Sequence, residues 1–389
     1  MRLLFFDNSP VFGGHEVMTL AALEGMAADP DLEIAFLYFD QNQRLKEGLA
    51  AINRIETHAT PIRSRRFQSF WNMTQQGAVA ELASRMRELA PDAVIVAQGD
   101  IEISSMGVHA ARKAGLRCIS YIPCPHTQVE MGAKLGRLRD VCNRSLYNLP
   151  DAFITICQSM ADRLQERGTR VPIEVVYNGI DLSRLQPRSR SQARNQLGLS
   201  QEKQLVGLAG RVQFDQKGQD FFLRSLANWN RPDTELVIAG DGPDLSKLKG
   251  IAEAQNLPVH FLAWQNDPVL LYSSLDVLVM PSRFEGFPLV MIEAIQCGIP
   301  VLASDRDGMQ EFLPPNWRFN RTDPNHFRMQ LETLLDSDPQ PLLKPLQEQI
   351  QRGMTREAFG SSFRKACKKL VRMETTRPSP TSRQVIILG

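Results

Sequence analysis

The chain has 389 residues, with 45 Lys and Arg against 43 Asp and Glu, a formal net charge of +2. A single hydrophobic core rarely grows past about 250–300 residues, so two domains are expected, and the balanced charge excludes a globally basic nucleic-acid binder. No apolar run reaches the roughly 18–20 residues of a membrane span, and the six cysteines contain no Cys-x-x-Cys pair, which points to reduced thiols in a cytoplasmic protein.

In chain order, the opening apolar run 3–6 is halted by Asp7, too short for a signal peptide. Runs at 2–6, 33–39, 93–97, 118–122 and 152–156 predict buried strands, with amphipathic helical patterns between them, as at 17–27 and 77–89. An Asn178-Gly179-Ile180-Asp181 turn and a polar stretch, 183–196, then interrupt the alternation. It restarts with runs at 205–209, 235–239, 259–262, 277–280 and 300–303 and a helical pattern at 217–228. Strand–helix alternation predicts parallel sheets covered on both faces, hence two doubly wound α/β domains. The expected division is 1–182, then 183–355, a helix over 356–374 and a Pro/Ser-rich flexible tail, 375–389.

The stretch SRFEGFPLVMIEAIQCGIPVLASD, 282–305, is apolar yet keeps Glu285 and Glu293. Glu285 falls in the turn after the 277–280 strand, and Glu293 one to two turns into the helix that Pro288 opens. Carboxylates there accept sugar hydroxyls, while the helix start around Gly286, Phe287, Pro288 and Leu289 suits a phosphate. In LVGLAGRVQFDQKGQDF, 205–221, Arg211 and Lys217 stand six apart in a loop beyond Gly210, two cations placed to meet a leaving diphosphate. The turn Gly240-Asp241-Gly242-Pro243 and the pair Gly13-Gly14 each follow a strand, and neither forms the GxGxxG of a dinucleotide site.

Taken together, these motifs resemble the retaining GT-B-fold glycosyltransferases of family 4 (glycosyl transferases group 1). Glu285 and Glu293 match the E-x7-E pattern, and Gly210, Arg211, Lys217 and Gly218 match the glycine–arginine–lysine loop. Asp307-Gly308 departs from the paired glycines of many members. The resemblance implies an α/β GT-B fold, two Rossmann-like doubly wound domains facing a central cleft. It implies a nucleotide-diphosphate sugar as donor substrate, no cofactor and no metal. Glu293 would hold the ribose hydroxyls and Glu285 the sugar. Arg211 and Lys217 would hold the diphosphate, against which Gly13, Gly14, Gly210, Gly240, Gly286, Phe287, Pro288 and Leu289 would pack. The Asp305-Arg306-Asp307 run spells a metal-type acidic motif but follows a late strand, and is discounted.

The first half would hold a glycan or lipid-linked acceptor. Asp100 and His126 each follow a strand there, His126 being placed to orient the acceptor or touch the donor sugar. Two basic stretches invite an anionic membrane partner: 57–80, with Arg63, Arg65 and Arg66 beside Phe67, Phe70 and Trp71, and 131–149, with Lys134, Arg137, Arg139 and Arg144. Nucleic acid is not an expected partner. The localisation expected is cytoplasmic, with peripheral contact at the inner membrane face. The rivals are a nucleotide-sugar epimerase of the same fold and a non-catalytic nucleotide-sugar-binding scaffold.

Overall fold

The computed structural model describes residues 1–373; the 375–389 tail and residue 374 lie outside them. Seven strands form the first sheet: β1 (Arg2–Asp7), β2 (Glu33–Phe39), β3 (Ile55–Thr60), β4 (Ala93–Ala97), β5 (Cys118–Tyr121), β6 (Ala152–Thr155) and β7 (Ile173–Val175). Six form the second: β8 (Gln204–Ala209), β9 (Thr234–Ala239), β10 (Val259–Leu262), β11 (Val277–Met280), β12 (Val301–Ser304) and β13 (Arg318–Phe319). The spatial orders are β3-β2-β1-β4-β5-β6-β7 and β10-β9-β8-β11-β12-β13. Every strand pairing is parallel, so both expected doubly wound sheets are present.

The run Leu3-Leu4-Phe5-Phe6 shows why these segments become central strands. Leu3 and Phe5 enter one buried cluster and Leu4 and Phe6 another, on opposite faces of the sheet. Side chains alternate across a strand, so only a continuous apolar run can be buried on both sides. Each fully buried Leu or Phe contributes about 1.5–3 kcal/mol.

Two chain crossings join the halves, and they are hydrogen-bonded to each other. Ile180 N–H donates to Met354 O at 2.9 Å, and Arg356 N–H to Ile180 O at 2.9 Å. The helix Arg356–Arg372 then returns to the first half and lies along the helix Gly14–Ala27. There Gly25 and Gly360 meet so closely that a Cβ on Gly25 would fall 2.5 Å from the Gly360 Cα. Phe363 packs on Phe5 and Tyr121, and Lys368 reaches Asp29 at 2.6 Å. The second half is thus anchored to the first by its own C-terminal helix.

Candidate active site

Both sheets reverse their winding order once, between β1 and β4 and between β8 and β11. The carboxyl ends flanking such a reversal open a crevice, because the following helices cross to opposite faces. The loops after these four strands carry Gly13-Gly14, Asp100, Arg211 with Lys217, and Glu285. The candidate residues thus gather at the two switch points, and His126 follows the neighbouring β5.

The segment after β8 differs from the expected loop running into one helix. Phe214–Lys217 forms a single helical turn, and Gln219–Ser225 forms a second helix. Gly218 separates them at φ +65, where a Cβ would fall 2.2 Å from the Pro281 carbonyl oxygen. Only glycine fits that left-handed, crowded position, so Lys217 ends a short helix and is not mid-loop. Arg283 fastens this turn to the Glu285 loop: its N–H donates to Gln216 O at 2.6 Å and its Nε to Phe214 O at 2.9 Å. The Gly240–Pro243 turn supports it from the other side, with Val212 N–H donating to Asp241 O at 2.9 Å.

These supports bring Lys217 against Glu285: the ammonium donates to Glu285 Oε1, which also accepts from Ser282 Oγ at 2.9 Å. Glu285 is buried; the Lys217 side chain keeps 27% of its surface exposed. Arg211 is exposed and makes no ion pair among the described residues, leaving its guanidinium available to an anion. Gly210, Lys217 and Ser282 line one small space of about 20 Å³.

Glu293 stands apart from that pair, lining a separate cavity of about 860 Å³ with Leu289, Asn266, Asp267 and, from the first half, Val17 and Met18. Val290 lines the small space and Leu289 the large one, so the start of the helix Leu289–Gln296 divides them. Tyr272 Oη donates to Glu293 Oε2 at 2.8 Å. Burial raises the Glu293 pKa, and the Tyr272 hydrogen bond only partly offsets this. Such a group contributes stability that is full below the ordinary Glu range and is lost as pH rises through the raised value. Glu293→Gln should therefore melt a few degrees higher than wild type at neutral pH, the gap closing as pH falls to the ordinary Glu range. A series of melting curves across that range checks it.

His126 lies wholly buried with both ring nitrogens engaged. Cys124 Sγ is 3.0 Å from Nδ1 and Asp307 Oδ2 is 3.1 Å from Nε2. Burial pushes the Cys124 thiol far up, so it is the donor to Nδ1. Burial works against the Asp307 charge, but the His126 hydrogen bond and the Arg163 guanidinium hold its pKa at about 2. Asp307 is then an acceptor, and Nε2 carries the proton. In this arrangement neither nitrogen is free to take a proton from an acceptor hydroxyl. Gly286 and Phe287 sit at the same interface. A Cβ on Gly286 would fall 2.5 Å from the Pro123 carbonyl oxygen, and Phe287 O accepts from Asn178 Nδ2 at 2.8 Å. Pro288 caps the helix Leu289–Gln296.

Across the cleft, Gly13 N–H donates to Glu16 Oε2 at 2.7 Å, and Gly14 has open space where a side chain would stand. His15 lies between carboxylates, 3.4 Å from Asp7 Oδ2 and 3.0 Å from Glu16 Oε2. Burial alone would lower its pKa, but those two partners raise it to about 10. Asp7, His15 and Glu16 are the metal-type cluster among the described residues, and the imidazolium already supplies the positive charge that a cation would bring. Asp100 Oδ1 accepts from Glu102 and Ile103 N–H at 2.7 and 3.0 Å, the work of a turn-capping residue. Its pKa is raised by burial.

The two basic stretches, far apart in sequence, form one face. The helices Gln68–Thr74 and Gly136–Asn143 pack together through a Ser69–Asn143 hydrogen bond, with the Arg139 guanidinium 5.1 Å from the Phe67 ring centroid. Phe70, Met73, Leu135, Leu138 and Val141 are exposed there. Around them stand Arg63, Arg65, Arg66, Lys134, Arg137 and Arg144, all exposed and without an ion pair among the described residues. Arg139 alone is taken up, by Glu102 at 2.7 Å. No described helix is long and apolar enough to cross a membrane.

Arg283, Arg163 and Asp307 join the site through contacts that the sequence motifs do not show. Asp307 left a signal, an acid where paired glycines are common. The two arginines left none, because their partners are distant in sequence.

Comparison with known proteins agrees with this architecture. The family profile "Glycosyltransferase Family 4" matches residues 12–184, and "Glycosyl transferases group 1" matches 189–351. A lipopolysaccharide core biosynthesis mannosyltransferase, LpsB, of Rhizobium meliloti is 37% identical over 153 residues, 37% of this chain and 43% of that protein. A D-inositol 3-phosphate glycosyltransferase of Mycobacterium marinum is 33% identical over 183 residues, 44% of this chain and 39% of that one. Each match thus spans under half of the relative's length. Among solved structures, Anabaena Alr3699/HepE in complex with UDP and glucose superposes with a TM-score of 0.77 at 19% identity, over 95% of this chain and 100% of that one. Sucrose-phosphate synthase of Thermosynechococcus elongatus gives 0.75 at 18% identity, over 95% and 99%.

Proposed function

We propose that this chain, which belongs to the GT-B glycosyltransferases with a family 4 domain followed by a group 1 domain, transfers a hexose from a nucleotide-diphosphate sugar to an acceptor hydroxyl in glycan, polysaccharide or glycolipid synthesis. One observation carries the reading: Lys217 and Glu285 are ion-paired at the second switch point, with the Glu293 cavity on the far side of the same helix start.

In this account Glu293 accepts the ribose hydroxyls and Glu285 those of the sugar. Lys217 and Arg211 meet the diphosphate, and Gly14 leaves room for it against the opposite domain. As the bond from the anomeric carbon to the phosphate oxygen breaks, negative charge grows on that oxygen. Fixed cations stabilise it without reorganising. The acceptor oxygen forms its new bond on the same face and its proton passes to the departing phosphate, so the configuration is retained. The cations do what a metal would do elsewhere, and no cofactor takes part.

Support from the relatives is of one kind: a lipopolysaccharide mannosyltransferase, an inositol-phosphate glycosyltransferase, and a structure holding UDP and glucose. A panel of nucleoside diphosphates and their sugars tests the donor. A ligand at 100 times its Kd adds about 2.7 kcal/mol of stability, so the true donor stands out in a melting assay. No stabilising nucleotide would remove the reading. Proton NMR of the product then tests retention, and an inverted anomeric centre contradicts it.

The acceptor side fits a lipid-linked substrate at an anionic membrane. Exposed apolar side chains ringed by unpaired cations match a headgroup layer above acyl chains, on the face built from helices Gln68–Thr74 and Gly136–Asn143. That reading puts the protein in the cytoplasm, touching the inner leaflet. The protein should co-sediment with vesicles containing anionic lipid and not with neutral ones, and Leu138→Glu should weaken this several-fold. Binding that ignores lipid charge would count against it.

A further inference from the structure

Asp307 opens the helix Asp307–Phe312 at φ +54, a backbone region that ordinary residues seldom occupy. Its side chain joins four groups from both halves of the molecule. Oδ1 accepts from Arg163 at 2.7 and 3.0 Å. Oδ2 lies 3.1 Å from His126 Nε2 and accepts from the Glu285 N–H at 3.0 Å. Arg306 Nε stands 3.5 Å away. One turn on, Glu311 caps the facing helix Gln158–Glu166, accepting from Gln158 and Ser159 N–H at 3.2 and 2.9 Å and from Tyr177 Oη. Two carboxylates on one short helix therefore clamp a helix of the other domain, but only Asp307 also touches His126 and the main chain of Glu285.

We propose that Asp307 is a positioning residue: its carboxylate converts docking of the Asp307–Phe312 helix on the Gln158–Glu166 helix into the working placement of His126 and of the Glu285 main chain. The inference rests on the proposed transfer reaction only in taking Glu285 to stand at the donor sugar, with the buried His126 behind it. The physical reason is the sharing of one buried carboxylate. Arg163 ties Oδ1 to the first domain, and Oδ2 holds an imidazole of that domain and a main-chain N–H of the second. When the domains part, Oδ2 cannot keep both, so His126 and Glu285 come into register only on closure. A displacement near 1 Å can cost about 100-fold in rate.

The test compares Asp307→Gly, Asp307→Asn and Glu311→Gln in the full chain. Glycine accepts the positive φ, so Asp307→Gly removes the carboxylate without backbone strain, and Asp307→Asn serves if the glycine variant fails to fold. Each Asp307 variant should lower kcat about 10–100-fold while the donor KM moves less than about three-fold. Glu311→Gln should instead raise KM with kcat within about two-fold. Nitrogen NMR of labelled imidazole should show His126 protonated at Nε2 in wild type and in Glu311→Gln, and a mixture of tautomers in Asp307→Gly. An unchanged His126 signature in the Asp307 variants overturns the proposal, as does an identical kcat and KM pattern for Asp307 and Glu311 variants. If the wild type transfers no sugar, the reaction reading fails by itself, and the imidazole signature still decides the role of Asp307.

Discussion

Lys217→Ala should lower kcat about 100–1,000-fold, the usual cost of losing one preorganised group that meets developing charge. The protein should still fold cooperatively, for reasons visible at the site. The Lys217–Glu285 pair lies between two regimes. Exposed pairs are worth about 0–1 kcal/mol, and breaking a buried one costs about 3–5. Lys217 keeps 27% of its side-chain surface exposed against 9% for Glu285, and Glu285 retains the Ser282 hydroxyl at 2.9 Å. A loss of about 1–3 kcal/mol is therefore expected, within the roughly 5–15 kcal/mol that folded chains hold in reserve. Because the two side chains touch, Glu285→Gln combined with Lys217→Ala should cost less than the two single losses added. Steady-state kinetics and melting of the three variants check this. Additive losses would show that the pair does not work as a unit.

Gly240→Ala should produce the largest loss of stability. At φ +149 a Cβ would stand 1.9 Å from the Gly210 carbonyl oxygen and 2.9 Å from its carbon. Both are backbone atoms, so no side-chain rotation relieves the clash. The turn after β9 must move away from the turn after β8. The cost is expected at roughly 3–5 kcal/mol, the upper end for point substitutions. Melting should fall by about 10 °C. Activity should fall even well below the melting temperature, since the displaced backbone carries Arg211 and Lys217. Calorimetry with kinetics at low temperature checks both parts. A variant as stable as wild type would show that the two turns are not packed as described. Gly240 thus belongs to the site through the loop it supports.

The central strands were legible because burial on both faces demands an unbroken apolar run, as at 3–6 and 277–280. The strands not anticipated were β3, β7 and β13, and each lies at a sheet edge. IETHAT in β3 is mostly polar, with Glu56, Thr57 and Ala59 exposed at the sheet edge, so it shows neither an apolar run nor an alternation, and β7 and β13 have three and two residues, too few to show a pattern. Of the site, the two glutamates, the two cations and the glycine turns were readable because each follows a strand at fixed spacing. What was not readable depends on tertiary contact. Nothing near Arg163 announces a partner 144 residues away, and only the packing of the two halves on each other brings Asp307 to His126, 181 residues before it. The same packing explains why His126, expected to orient the acceptor or touch the donor sugar, is found with both nitrogens engaged.

The most direct test of the central claim is a crystal structure with a bound nucleoside diphosphate. The account predicts ribose hydroxyls on Glu293 and the diphosphate against Lys217 and Arg211, its far side facing Gly14. A nucleotide seated away from Lys217, or with Glu293 turned from the ribose, would contradict it.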